Sequence, residues 1–477
     1  MKGFKLTTKI IAAILLIISP FLIVFSTAFL SSAEFDESFV GALDVKLDRL
    51  YSIEGEKVVI IGGSSTAFGY DSSLIEKYLD KPVVNMGLYA ALGTKVMLDL
   101  SRNAIGKGDI VIIAPELDAQ TLSLYFSPST TLRALDGSPE YLLSLPAEHR
   151  MSLFAESWGF AAEKLSYKLF GGAKYEGIYR ADSFNELGDI KVARPNNIMS
   201  EYYDREHTVD LDADILDPDF ISYLNEYIAY ARSVGAKVYF EFCPINSLGL
   251  SEGSESEQAR LIFEERLRDS LDCTVIAASI EDYIYRAEYF YDTNLHLNSA
   301  GAVMHTVNVI RDLLLELEMP ISVTEEIPAP PPLPELDIRY SGEDANADSF
   351  IYERKANGTY KIVGVAPAHL SDTSLTVPLG YNGYKVTEIG RAAFSGSSVK
   401  KLTVTADTNL TFFESGAFIG ADKLSALYIY YPYEQDIAPP PSFSGVASDF
   451  KVYIPSDSSY RSGYYWSQCG ARFEYID

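Results

Sequence analysis

VVIIGGSSTAFGYD, residues 58–71, decides how the larger part of the chain is read. Val58 to Ile61 are four apolar, β-branched residues, a run that predicts a short buried strand rather than a helix. Gly62 and Gly63 break the run, Ser64, Ser65 and Thr66 follow, and Asp71-Ser72-Ser73 opens the helical pattern LIEKYL. A serine on a tight strand-to-helix turn has its hydroxyl lifted clear of the sheet, beside backbone N–H groups able to bind an oxyanion. An ordinary Gly/Ser-rich loop has the same local sequence, so the neighbouring segments have to be read with it.

Those segments alternate strand and helix. Val83-Val84-Asn85-Met86-Gly87 predicts a second short strand ending in glycine, residues 94–105 a helix, and residues 109–114 (DIVIIA) a third strand. Short β-branched runs separated by helices indicate a parallel sheet with right-handed crossovers, whose ligands sit at the carboxyl ends of strands. Ser64, Gly87 and Pro115-Glu116 all fall there. Residues 117–217 show no clean alternation and read as an insertion on the substrate side. The pattern then resumes with a helix over 219–234, a strand at KVYFEF (237–242), a helix over 256–271, a strand at 274–277 and a last helix over 299–317.

Just before that last helix lies YFYDTNLHLNSAGA, residues 289–302, which carries Asp292 and His296. Together with residues 58–71 it resembles the SGNH (GDSL-type) hydrolases, whose first block is of Gly-Asp-Ser type and whose last is Asp-x-x-His. The resemblance covers roughly residues 55–318. It implies a three-layer α/β domain with a flavodoxin-like parallel sheet, with Ser64 as nucleophile, His296 as base and Asp292 as the acid that orients it. Ser65 stays open as an alternative nucleophile, since a shift of one residue also satisfies the turn. The oxyanion donors would be backbone N–H groups of Ser64 and Gly87, with the Asn85 side chain.

Two departures from the family pattern stand out. Three residues separate Asp292 from His296, where the family usually has two. Where the family has Gly-x-Asn, this chain has Ala114-Pro115-Glu116. Glu116, grouped with Ser65 as substrate-binding, would oppose a developing oxyanion if ionised. It must therefore turn away, be protonated, or act otherwise. Tyr283, Tyr285, Tyr289 and Tyr291 crowd the last block and either stack on a sugar ring or pack a half-buried surface.

The formal net charge of −27 argues against nucleic acid as a partner. The three cysteines, Cys243, Cys273 and Cys469, are an odd number and define no disulfide framework. No His-x-x-x-His, Cys-x-x-Cys, GxGxxG or Walker-type loop occurs, and neither metal nor cofactor is expected.

At the N-terminus, Lys2, Lys5 and Lys9 precede a nearly uncharged apolar run from Ile10 to Leu30. About 20 apolar residues can span a bilayer, so residues 1–33 are expected to form a single-pass membrane anchor with the bulk of the chain extracytoplasmic. Ser31-Ser32-Ala33 also offers a cleavage site for a signal peptide. Residues 34–54 predict an amphipathic juxtamembrane helix.

Residues 319–336 contain IPAPPPLP and read as a stiff linker. Beyond it, in residues 337–477, VTEIGRAAFSGSSVKKLTV (386–404) recurs loosely as LTFFESGAFIGADKLSALYI (410–429). Ala393-Phe394 matches Ala417-Phe418, and Leu402-x-Val404 matches Leu427-x-Ile429. This pattern resembles the BspA-like leucine-rich repeats of bacterial surface proteins, with KVYIPSDSSYRSGYYW, from 451, as the terminal strand and closing turn. The expectation is thus a membrane-anchored esterase or O-acyltransferase acting on acylated small substrates or cell-envelope glycans, with repeats that bind a protein or glycan. The alternative is a surface interaction protein with a weak or inactive hydrolase-like domain.

Overall fold

The computed structural model describes residues 19–477 except 173, 174, 176, 252, 255, 343, 356, 433–436, 441, 457, 459, 461–465, 467, 468 and 477. The chain divides into two compact units, Met1–Pro334 and Glu335–Asp477.

The first unit is built on five parallel strands: β1 (Val58–Gly62), β2 (Val83–Asn85), β3 (Ile110–Ala114), β4 (Lys237–Phe240) and β5 (Thr274–Val275). Their order is β2-β1-β3-β4-β5. Every residue of β1 and β3 is buried, which is why both read as unbroken β-branched runs rather than as an alternation. The helices are α1 (Ala42–Ser52), α2 (Ser64–Gly69), α3 (Ser72–Leu79), α4 (Thr94–Ser101), α5 (Pro128–Ala134), α6 (Ala147–Phe170), α7 (Pro218–Ser233), α8 (Glu257–Ser270) and α9 (Ser299–Glu316). Because the strand order reverses at β1, right-handed crossovers send the helices on its two sides to opposite faces. Accordingly α1, α4 and α7 pack in one group, and α2, α3 and α9 in another. The register at the reversal fixes the site, because Gly62 pairs with Ala114. Two residues beyond each partner, Ser64 and Glu116 emerge side by side.

In the insertion, α5 and α6 pair through Arg133 and Glu163 (2.9 Å). Lys164 of α6 is fully buried against Asp136 (2.5 Å). The irregular part is pinned by Arg194, whose guanidinium donates to the carbonyls of Leu297, Ile190 and Val192. The proline-rich segment lies along this unit instead of hanging free. Glu325 holds Lys77 (2.5 Å) and the Tyr78 hydroxyl (2.6 Å), and Tyr289 and Tyr202 donate to the carbonyls of Pro328 and Pro334.

The expected membrane anchor is corrected here. Residues 1–18, with the three lysines and the start of the apolar run, lie outside the described residues; residues 19–29 are helical. Among the described residues no helix is long and apolar enough to cross a membrane. The end of the run instead packs on protein: the Phe25 ring lies 4.1 Å from Trp158, and Phe29 5.9 Å from Phe160, both on α6. With the anchor go the single-pass cell-membrane location and the membrane as a partner. The reading of the chain as a membrane-anchored enzyme of envelope glycans, or as a surface interaction protein, goes with them.

In the second unit five short strands, Ser374–Thr376, Lys401–Val404, Ala426–Ile429, Lys451–Pro455 and Phe473–Ile476, stack side by side in parallel. Leu402 pairs with Leu427 and Val404 with Ile429, all fully buried. The Phe394 and Phe418 rings stack at 5.8 Å between the strands' ends. Inward-pointing residues at alternate positions thus build one continuous core down the stack. Most of the closing turn expected after 455 lies outside the described residues.

Candidate active site

The N-terminal residue of α2, Ser64, follows Gly63 directly at the carboxyl end of β1. His296 and Asp292 lie at the tip of a hairpin whose arms are joined by an antiparallel bridge between Phe290 and Leu297. Asn298 closes that hairpin. Its side chain donates to the carbonyls of Glu288 and Phe290, and accepts the Gly301 N–H (2.9 Å) as the cap of α9. The extra residue between Asp292 and His296 is absorbed in the turn, where Thr293 Oγ1 accepts the N–H groups of Leu295 and His296.

These elements bring three of the anticipated residues into one chain of contacts. His296 Nε2 lies 2.8 Å from Ser64 Oγ, and His296 Nδ1 lies 2.8 Å from Asp292 Oδ1. His296 is only 5% exposed, and its ring stacks on Phe68 of α2 at 4.1 Å and 7°. The Arg194 guanidinium lies over the same phenylalanine ring, 5.2 Å from its centroid. Burial pushes Arg194 down to about 10, against the pull of Asp189 and Asp292, so it remains cationic near neutrality. A histidine held by a carboxylate on one nitrogen and facing a hydroxyl on the other can accept the hydroxyl's proton as it attacks a carbonyl.

Ser65 stands differently. Its hydroxyl is buried and lacks a hydrogen-bond partner among the described residues, while its N–H donates to Glu116 Oε1 (2.8 Å). His296 therefore serves Ser64. Glu116, at the end of β3, is 2% exposed, and its Oε1 also lies 3.4 Å from Ser64 Oγ. Burial raises its pKa above the usual carboxylate range, against hydrogen bonds from the backbone of Ser65 and of Glu116 itself.

The structure does not bring Asn85 and Gly87 to the nucleophile as free donors. The Asn85 amide donates to Thr66 O (3.0 Å) and Asp189 Oδ1 (2.8 Å). Its carbonyl oxygen accepts the Gly87 N–H (2.8 Å). Both groups hold the end of β2 in place. Likewise Tyr283 and Tyr285 are buried away from the site, and Tyr285 contacts His305 (3.1 Å).

Tyr179 was not anticipated. Its hydroxyl donates to Asp292 Oδ2 (2.5 Å) and lies 3.3 Å from His296 Nδ1. Burial first, then the charge of Asp292, push this phenol well up, so it stays a donor. Nothing local in the insertion sequence marks it. Phe68 was in plain view within the opening stretch, four residues after Ser64, and one helical turn places both on the same face.

Ser64, His296 and Glu116 open into a cavity of about 830 Å³. Phe35, Phe39, Val40, Tyr89, Tyr167, Tyr175 and Tyr179 form much of its wall, with the pairs Arg133–Glu163 and Asp204–His207 at its polar parts. Asn294 ties that wall to the hairpin, donating to the carbonyls of Asp204 and His207 and accepting the Asp204 N–H. Among the described residues no group of three or more His, Cys, Asp or Glu is placed to hold a metal ion.

No family model, no curated protein and no solved structure matches the chain, so neither the SGNH nor the leucine-rich repeat label is assigned to it.

Proposed function

We propose that the first unit is a serine esterase, with Ser64 as nucleophile, His296 as general base and Asp292 as the acid that orients it. The observation that carries this reading is the unbroken run from Ser64 Oγ to His296 Nε2 and from His296 Nδ1 to Asp292, 2.8 Å at each step. It is also the arrangement that the SGNH resemblance implies.

In the reaction Ser64 Oγ attacks the ester carbonyl while its proton passes to His296 Nε2. The imidazolium is stabilised by Asp292, which Tyr179 holds in place, and it returns the proton to the departing alkoxide. Water then attacks the acyl-Ser64 ester with the same histidine as base, releasing the acid and restoring the serine. The aromatic wall favours esters with an apolar acyl or alcohol part, and the cavity is of a size that takes most of a small organic molecule out of water. The acidic residues Asp118, Glu163 and Asp204 in the same wall disfavour anionic substrates.

The test is a fluorophosphonate probe followed by peptide mapping. Labelling at Ser64 that disappears in Ser64→Ala, with turnover of p-nitrophenyl esters disappearing alongside, supports the reading. Undiminished turnover in Ser64→Ala ends it.

A further inference from the structure

In both halves of the proposed reaction His296 takes up a proton and returns it, so its imidazole has to keep Nε2 on Ser64 throughout. The side chain does not secure this by itself. The torsion that turns the ring about Cβ–Cγ has a broad minimum rather than one sharp well. The Asp292 contact at Nδ1 holds one edge of the ring, and a hydrogen bond tolerates a wide range of tilt.

The plane of the ring is set by Phe68. Its ring lies 4.1 Å from the imidazole, centroid to centroid, with 7° between the planes. Phe68 is fully buried, so it has no room to swing aside. Its ring also carries the Arg194 guanidinium, 5.2 Å from the centroid. Arg194 donates to the carbonyl of Phe68 itself (3.3 Å) and to that of Leu297 on the hairpin (3.0 Å). One buried cation thus ties together the helix that carries Phe68 and the hairpin that carries His296.

The place of Phe68 in the chain gives this stack its use. Ser64 and Phe68 stand one turn apart on α2, whereas His296 comes from a hairpin 232 positions away. Seated on Phe68, the base is aligned to the very helix that carries the nucleophile.

We propose that Phe68 is a positioning residue of the esterase, its ring face holding the His296 imidazole in the plane from which Nε2 meets Ser64. The role rests on the serine reading and adds to it the element that aligns the base. Phe68 does not line the cavity, so it acts on the reaction through His296 and not through contact with substrate. A phenylalanine that only filled space would tolerate an aliphatic side chain of similar size at a cost in stability alone. A flat support would not, because an aliphatic side chain leaves the imidazole free to tilt.

The experiment measures kcat and KM for p-nitrophenyl butyrate, the rate of fluorophosphonate labelling at Ser64, and thermal melting. It compares wild type with Phe68→Leu, Phe68→Met and Phe68→Tyr. The two aliphatic variants are expected to lose about 10-fold or more in kcat with KM little changed, because a slightly misplaced base is felt in the transition state. Their labelling rates fall by a similar factor, since the small probe needs only an activated Ser64. Phe68→Tyr keeps the flat face and is expected to retain most of kcat. A folded aliphatic variant with wild-type kcat, or with KM alone raised, overturns the proposal. So does a folded Tyr variant as slow as the aliphatic ones, and so does failure of both aliphatic variants to fold. In each of these cases labelling of wild type at Ser64 leaves the serine reading standing. If wild type is not labelled at Ser64, the serine reading fails and this role fails with it.

Discussion

The first unit builds two histidine centres from the same two helices, and they differ in that the one at Ser64 opens into a cavity while the other is sealed in packing. At the start of α2 stands Ser64, and just past its end stands Tyr70. Before α9 stands His296, and within it His305. One end gives Ser64–His296–Asp292, open to the cavity. The other gives Tyr70, Glu241, His305 and Tyr285: Tyr70 donates to Glu241 Oε2, His305 Nε2 lies 3.1 Å from Glu241 Oε1, and His305 Nδ1 lies 3.1 Å from the Tyr285 hydroxyl. Glu241 is 0% and His305 1% exposed. The ingredients are nearly identical, a hydroxyl, an imidazole and a carboxylate. What differs is the hydroxyl: an aliphatic alcohol facing a cavity at one end, and phenols sealed in packing at the other. Tyr70 and Tyr285 are both pushed far above the ordinary phenol range, chiefly by burial. The second centre therefore holds α2, α9 and β4 together.

The sharpest way to break this contrast is to remove one hydroxyl at the open end. Ser64→Ala is expected to lower ester turnover by about 10⁴-fold or more, as loss of a serine nucleophile does, with the melting temperature hardly moved. Next comes the sealed end. His305→Ala empties the space of a ring packed edge-on against Tyr70 and Tyr283 and removes its contact with the Tyr285 hydroxyl, and is expected to cost about 3 kcal/mol in denaturant unfolding while turnover per folded molecule stays near wild type. A stable His305→Ala protein without turnover would erase the distinction between the two centres.

A smaller effect tests how the open end is held. Tyr179→Phe removes the hydroxyl that donates to Asp292 and lies 3.3 Å from His296 Nδ1, so kcat/KM should fall about 10-fold, at a cost of ~1.4 kcal/mol to the transition state. A rise in KM alone, with kcat unchanged, would place Tyr179 with the substrate rather than with Asp292.

The smallest effect concerns a carboxyl with no histidine at all. Asp44 of α1 is half-buried, and burial pushes it up to about 7, against a hydrogen bond from Ser138 and with the charges of Asp48, Asp136 and Glu140 raising it further. Between the ordinary carboxylate pKa and 7, the folded chain holds a proton that the unfolded chain has lost. Its contribution to stability is therefore full below about pH 4 and is lost as the pH rises through 7. Asp44→Asn should raise stability at pH 8 by about 1 kcal/mol, a value kept low because the group is partly solvated, and should change nothing at pH 4. Equal gains at both pH values would show that the effect is not ionisation.

The parts legible in the sequence were those set by local pattern. The run Val58–Ile61 followed by paired glycines located β1 and Ser64, and a histidine just ahead of a helix located His296. The parts that were not legible depend on distant partners. Asn85 sits at a strand end, where a donor would be useful, but Asp189 from the far side of the insertion takes its amide. Tyr179 reaches Asp292 from an irregular segment with no periodicity to place it. The run from Ile10 to Leu30 looks alike whether lipid or protein covers it; in its described part Phe25 and Phe29 pack on Trp158 and Phe160 of α6, while Phe21 to Val24 and Leu30 are exposed.

The nucleophile and its base stand 232 positions apart in the chain. During synthesis Ser64 emerges long before the hairpin that carries His296, and the two side chains meet only once that hairpin is in place. On the proposed serine mechanism, a chain that ends before residue 296 lacks the base and keeps the Ser64 hydroxyl an ordinary alcohol. On that mechanism, covalent labelling of Ser64 is expected to report folding through residue 296, in a crude extract as well as in a purified sample.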